Sequence, residues 1–392
     1  MAAGTTQGVR FEFATAGRIL FGNGRAHEAG ALAAELGRSA FLITGATGRH
    51  SGRLQTNLAE HGIAAVSFRV PGEPTTELVR EGTRQAREAG CDFVIGLGGG
   101  SSIDAAKAIA ALLANGGDPL DYLEVVGRGM PLLRPAAPSM AIPTTAGTGT
   151  EVTKNAVLAS PEHGVKVSLR SPTMLPRVAL IDPELTYSLS PETTASTGLD
   201  ALTQLIEPYV SIRANPMTDA LCREGMMRVA RSLRRAFEAG DDVAAREDMA
   251  LASMFGGLAL ANAGLGAAHG FAAPVGGRFD APHGAVCAAF LPHVMLVNVG
   301  ALLERQPDSP SLRRYDEVAR ILTGDPGAEA ADGVQWVRRL CDDLRVPTLA
   351  AYGIRPEDFP ALVQKAAEAS SMKPNPIVLT PAELKEILER AL

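Results

Sequence analysis

The sequence predicts an α/β amino-terminal domain built on a parallel sheet (residues 1–186), followed by an all-α carboxyl-terminal domain (residues 187–392). Three observations carry this expectation. Short runs of β-forming residues alternate with helical patterns through the first half, and the third such run ends in a glycine-rich turn. After about Tyr187 the chain changes to long Ala- and Leu-rich helical segments. Strand–helix alternation implies a parallel sheet with helices on both faces. At 392 residues the chain also exceeds one ordinary core.

Taken in order, Ala40-Phe41-Leu42-Ile43-Thr44 is a strand that ends at Gly45. Ser51 to His61 reads as a helix, Ala64 to Phe68 as the next strand, and Glu77 to Ala89 as a second helix. Phe93-Val94-Ile95-Gly96-Leu97 is an apolar strand running into glycines. In the second half Pro191 to Val210, Met217 to Ala239 and Val243 to Leu260 read as helices. Ser190 is the expected N-cap of the first, with Pro191 at its first helical position. There is no internal repeat or low-complexity tract, so the join between domains is expected to be tight.

Composition excludes several classes. An apolar content of 46% with 20% charged residues describes a soluble globular protein. A net charge of −6 argues against nucleic acid or an anionic membrane as the main partner. The Arg-rich stretch from Arg223 to Arg235 reads as a solvated helix face. Cys91, Cys222, Cys287 and Cys341 are scattered and form no C-x-x-C pair, which suits buried thiols better than a disulfide framework or a zinc cluster. Met1-Ala2-Ala3-Gly4 shows no secretory leader. The longest apolar stretches are broken by Ala and Gly and fall short of a membrane span. A cytoplasmic location is expected.

Two loops have the chemistry of a phosphate cradle. Gly98-Gly99-Gly100-Ser101-Ser102-Ile103-Asp104-Ala105-Ala106-Lys107 follows a strand and opens a helix. Glycines there let the backbone approach a pyrophosphate, and a helix N-terminus offers unpaired N–H groups and a favourable dipole. The strict G-x-G-x-x-G pattern is absent. Candidate cofactor-binding residues are Gly98, Gly99, Gly100, Ser101, Ser102 and Asp104. The second loop, Pro143 to Glu151, supplies Thr144, Thr145 and Thr148 for the phosphates and nicotinamide end of a dinucleotide.

A further constellation suits a divalent metal, Fe2+ or Zn2+. Asp200 and Gln204 are four apart and share a helix face. His269 and His283 lie in Ala268-His269-Gly270 and Pro282-His283-Gly284. Carboxylate and imidazole are ordinary ligands for an ion that polarises an oxygen, while the Gln204 amide is a weaker one. The same histidines could instead act as acid or oxyanion stabiliser without metal. A buried hydrogen-bonded cluster is the plain structural alternative. His27, His61, His163 and His293 have no motif around them.

Together these segments resemble the iron-containing (group III) alcohol dehydrogenase family, which includes maleylacetate reductases. The resemblance runs from Gly22-Asn23-Gly24 through the glycine loop and Ala179-Leu180-Ile181-Asp182-Pro183 to Lys373-Pro374-Asn375-Pro376. It implies a dinucleotide-binding domain, a helical domain of the dehydroquinate synthase-like type, and a cleft between them. It also implies a homodimer and hydride exchange between a nicotinamide and an alcohol or aldehyde. By the same resemblance, Gly98 to Ser102 hold the pyrophosphate, and Thr144, Thr145, Thr148 and Lys166 line the rest of the cofactor site. Asp200, His269 and His283 match three metal ligands. Gln204 stands where the family usually has a histidine, and Ala273 where many members carry another.

NAD-preferring relatives often have an aspartate at the end of the first strand, where this chain has Gly45. Its absence removes a repulsion against a 2′-phosphate, and Arg49 and His50 are close enough to pair with one, so NADP(H) is favoured within the NAD(P)(H) class. The expected function is metal-assisted NAD(P)-dependent alcohol oxidation or aldehyde reduction. The alternatives are a metal-independent maleylacetate (oxo-acid) reductase, for which Arg278 is a candidate carboxylate partner, and a non-catalytic nucleotide-binding protein.

Overall fold

The computed structural model describes residues 9–279 and 281–392. Residues 1–8, on which the expectation about a secretory leader rests, lie outside that description.

The amino-terminal half follows the expected alternation. β1 (Arg18–Phe21) leads through α1 (Ala29–Ala34) to β2 (Ser39–Thr44), α2 (Ser51–Glu60) and β3 (Ala64–Arg69). Next come α3 (Thr76–Glu88), β4 (Phe93–Gly98), α4 (Gly100–Asn115), the short α5 (Pro119–Tyr122) and β5 (Ser139–Pro143). β6 (Asn155–Ser160) and β7 (Val165–Arg170) form an antiparallel hairpin before β8 (Val178–Ile181). The six other strands form one parallel sheet in the order β1-β8-β5-β4-β2-β3.

Alternation along the strands sets the two layers. Phe41, Ile43 and Val94 face Val79 and Ile109 from α3 and α4. Leu42, Phe93 and Ile95 face Leu32, Leu54 and Leu58 from α1 and α2. Chain order reverses around β2: β3 lies on one side of it and β4 on the other. The carboxyl ends of β2 and β4 therefore flank the switch point, which is where open α/β sheets take their ligands.

The rest is helical: α6 (Pro191–Val210), α7 (Pro216–Glu238), α8 (Val243–Ala263), α9 (Ala267–Arg278), α10 (His283–Arg305), α11 (Pro310–Thr323), α12 (Ala330–Asp343), α13 (Phe359–Glu368) and α14 (Pro381–Ala391). α6 starts as expected, with the Ser190 hydroxyl accepting from the Thr193 backbone N–H at 3.2 Å. The arginines of α7 lie on a largely solvated face, as expected, but are ion-paired. Arg223 pairs with Glu317, Arg228 and Arg231 with Asp248, and Arg234 with Asp343, tying α7 to its neighbours.

One expectation is corrected. α10 is by length and composition apolar enough to cross a membrane, with 67% of its apolar window buried in the fold. It packs against α6, α9, α12 and α14, as a core helix does.

Candidate active site

The residues expected at the cofactor end converge at the carboxyl ends of β2, β4 and β5. Gly98 has a φ of 154°, and a Cβ on it would lie 2.4 Å from Ser102 Oγ. Only glycine allows the strand to turn this tightly into α4. A Cβ on Gly100 would lie 2.9 Å from Thr148 Cγ2, and one on Gly99 3.4 Å from Thr145. The Thr144 N–H donates to the Gly98 carbonyl at 2.9 Å, closing the two loops on each other. Gly45 sits beside them, its Cβ direction ending 3.4 Å from Ser102 Oγ.

The polar loop also bridges to the helical half. A Cβ on Gly257 of α8 would come within 2.2 Å of the Gly149 carbonyl oxygen, so bare backbone meets bare backbone there.

Asp104 also has partners within the protein. Its Oδ2 accepts from the Val157 N–H at 2.9 Å, and its Oδ1 takes the Thr150 hydroxyl and lies 3.0 Å from Lys107 Nζ. Buried Lys107 also donates to the Thr150 carbonyl and the Thr153 hydroxyl, both at 3.0 Å. Asp104 thus clamps the polar loop and the β6–β7 hairpin onto α4 while also lining the cleft. Lys166, on β7, reaches the cleft wall and pairs with Glu73 at 3.3 Å.

Near Gly45 the expected partners also change. His50 holds a left-handed φ of 68°, and burial followed by the charge of Arg49 pushes its pKa down, so it offers no cation. Arg69, which sequence reading overlooked, ends β3 opposite Thr44. A Cβ on Gly48 would lie 3.3 Å from its Nη2, which places the guanidinium at the turn following Gly45. Arg278 is committed elsewhere: it pairs with Asp358 and lies over the Phe279 ring at 5.3 Å.

The second cluster is built by three helices. Asp200 and Gln204 are 2% exposed on α6; His269 stands in the first turn of α9, and His283 opens α10. α10 can approach α6 this closely because Gly284 has no side chain; a Cβ there would lie 2.3 Å from the Ser196 carbonyl oxygen. His269 Nε2 is 3.4 Å and His283 Nε2 3.8 Å from Asp200 Oδ1. The Gln204 amide donates to Asp200 Oδ2 at 2.8 Å.

Two residues of this cluster were not foreseen. Glu207, one turn beyond Gln204 on α6, accepts from His269 Nδ1 at 2.7 Å and from the Ala268 N–H at 2.7 Å. It thereby caps α9 and fixes the imidazole with Nε2 towards Asp200. Cys287, read from sequence only as a buried thiol, lies within the group of potential ligand atoms formed by Asp200, His269 and His283. Behind them Asn375 accepts from the Ala267 N–H at 3.2 Å and donates to Asn298 at 2.8 Å, which gives the Lys373-Pro374-Asn375-Pro376 segment a packing role.

Asp200 Oδ1, Gln204 Oε1 and His269 Nε2 are buried and have no hydrogen-bond partner within the protein. Asp200 Oδ1 and His269 Nε2, which converge with the other donor atoms of the cluster, would be costly left so in a site closed on itself and fit a divalent ion. The electrostatics agree. Burial works against charge on His269, yet Cys287, Glu207 and Asp200 together raise its pKa well above the ordinary value. Cys287, chiefly, raises His283 to about 9. The pocket draws positive charge.

Both clusters open on one cleft of about 1100 Å³, lined by Gly100, Ser101 and Thr148 at one end and Gln204, His269 and His283 at the other. Ala273 faces it with a methyl group, one turn beyond His269.

The family profile described as iron-containing alcohol dehydrogenase matches residues 16–183, and that of the Fe-containing alcohol dehydrogenase family, C-terminal, matches residues 194–392. The chain is 36% identical over 340 residues to a probable alcohol dehydrogenase, EutG, of Salmonella typhimurium, covering 86% of this chain and 82% of that one. It is 33% identical over 384 residues to an NAD-dependent methanol dehydrogenase of Bacillus methanolicus, covering 95% and 97%. A crystal structure of 1,3-propanediol oxidoreductase superposes with a TM-score of 0.90 at 32% identity, covering 98% of this chain and 100% of that one. The chain therefore belongs to the iron-containing alcohol dehydrogenase family of oxidoreductases acting on alcohols.

Proposed function

We propose that the chain interconverts a small alcohol and its aldehyde with NADP(H) as the favoured nicotinamide cofactor, assisted by a divalent ion held at Asp200, His269 and His283. One observation carries the reading: Gln204, His269 and His283, packed around the unpartnered Oδ1 of Asp200, line the same cleft as the glycine loop. When bound, the ion would supply Lewis acidity towards the alcohol oxygen and the nicotinamide would supply the hydride acceptor.

The chain's own groups do the positioning. Gly98 to Ser102, Thr144, Thr145 and Thr148 hold the dinucleotide along the cleft, with Lys166 on its wall. Glu207 holds the His269 Nδ1–H, so Nε2 is the nitrogen that would release its proton and offer its lone pair to the ion. Leu260, Leu265, Ala273 and Pro274 give the site an apolar wall suited to a short carbon chain. Gly45 leaves room for a 2′-phosphate, and the Arg69 guanidinium supports NADP(H). A cytoplasmic homodimer is part of the same proposal.

The family relationship favours alcohol chemistry and lends no support to the oxo-acid reductase or the non-catalytic reading. His269→Ala should abolish turnover while leaving NADPH binding, read by fluorescence titration, close to wild type. Turnover retained in that variant would contradict the proposal, and lost NADPH binding would contradict this division of labour.

A further inference from the structure

We propose that Cys287 is a direct ligand of the metal site, completing a set of Asp200, His269, His283 and Cys287 that selects a zinc-type ion over ferrous iron. The inference rests on the metal-assisted reading above and deepens it.

Cys287 lies one turn after His283 on α10, with Sγ 3.7 Å from His283 Nε2. The four donor atoms all lie within 4.8 Å of one another. Zinc bonds of roughly 2.0 Å to nitrogen or oxygen and 2.3 Å to sulfur give a tetrahedron with edges of about 3.3 Å between nitrogen or oxygen donors and about 3.5 Å to the sulfur. The separations of 3.4 Å between His269 and Asp200, 3.8 Å between His283 and Asp200, and 3.7 Å between His283 and Cys287 lie within about 0.5 Å of those edges, so small side-chain adjustments close the set on an ion.

The independent observation is the aim of the neighbouring groups. Asp200 Oδ1 and His269 Nε2, on residues 2% and 5% exposed, have no partner and point into the same space. A thiol that served only as core packing would have no reason to share a pocket with two unsatisfied polar atoms.

Gln204 has a different task. Its amide N–H holds Asp200 Oδ2, orienting the carboxylate so that Oδ1 faces inward. The imidazole missing from α6 is thus made good by a sulfur from α10. On binding, the Cys287 thiol gives its proton to solvent, and the thiolate lone pair forms the bond to the ion. A soft thiolate beside two imidazoles and one carboxylate suits zinc better than the harder divalent ions.

The test is the absorption spectrum of the Co2+-substituted protein, supported by X-ray absorption at the zinc edge of the zinc-loaded wild type. The expected result is an intense near-ultraviolet thiolate-to-cobalt charge-transfer band and a sulfur scatterer at bonding distance. The band should vanish in Cys287→Ser and persist in Gln204→Ala and Cys341→Ser. Zinc affinity of Cys287→Ser should fall by more than the roughly 10–100-fold that loss of an outer-shell partner costs. Cobalt bound without the band, or a band surviving in Cys287→Ser, would overturn Cys287 ligation and leave the metal-assisted reading standing. Protein that takes up no cobalt or zinc would overturn both. The two wild-type spectra decide the matter even if the cysteine variant does not fold.

Discussion

Glu207→Gln isolates what the residue behind His269 contributes. Both carboxylate oxygens are in use, one accepting from His269 Nδ1 and the other from the Ala268 N–H, each at 2.7 Å. The glutamine has nearly the same shape, but its NH2 group cannot accept. Either the imidazole or the first turn of α9 therefore loses its acceptor, and a buried negative charge disappears. Loss of such an outer-shell partner weakens metal binding by roughly 10–100-fold, or about 1.4–2.7 kcal/mol. Competition for zinc against a chromophoric chelator measures the affinity, and kcat for alcohol oxidation should fall alongside it. Wild-type zinc affinity and wild-type kcat in a folded Glu207→Gln protein would refute the reasoning. A fall in Tm with no change in zinc affinity would make Glu207 a helix cap only.

Other perturbations read other parts of the account. Gly45→Asp meets only ordinary contact at Ser102 Oγ, 3.4 Å away, so the fold should tolerate it. Facing a 2′-phosphate, the new charge should raise KM for NADPH by roughly 10–100-fold while leaving NADH nearly unaffected, since a lost charge pairing is worth about 1.5–3 kcal/mol. Equal KM changes for both cofactors would place the 2′ end elsewhere. Glu151 is 2% exposed, and burial lifts its carboxyl from 4.5 to about 7. A raised acid pKa weakens the fold as pH rises. The cost is absent below about pH 4.5, grows between 4.5 and 7, and is complete above 7, on the order of 3 kcal/mol. Glu151→Gln should therefore raise Tm at alkaline pH and leave it unchanged in acid; a uniform shift would contradict that assignment.

Much of this architecture was legible because local chemistry and tertiary placement agree. Ser190 and Pro191 set the start of α6 before any packing is considered, and the pattern that predicts Pro191 to Val210 ends where the helix does. The glycine loop could be read because a strand running into three glycines and then a helical stretch has few other uses. The β6–β7 hairpin was missed although Val165-Lys166-Val167-Ser168-Leu169 alternates as a strand does; its short length and setting among loop residues hid it. Glu207 was within reach of sequence reasoning, since Asp200, Gln204 and Glu207 form one stripe along α6. Cys287 was not, because its meaning depends on Gly284 letting α10 close on α6. Asp104 and His50 show what residue type alone leaves out: each stands near the right loop, but the fold engages the Asp104 oxygens in its own hydrogen bonds and burial lowers the His50 pKa. Arg69 lies far along the chain from Gly45 and becomes its neighbour only through the register of β2 with β3.

Metal analysis of the purified protein, paired with NADPH-dependent reduction of a small aldehyde panel before and after chelation, tests the central claim most directly. A stoichiometric divalent ion, loss of activity on chelation and its return with added zinc are the results expected. Metal-free protein that reduces the same substrates at an undiminished rate would contradict the account.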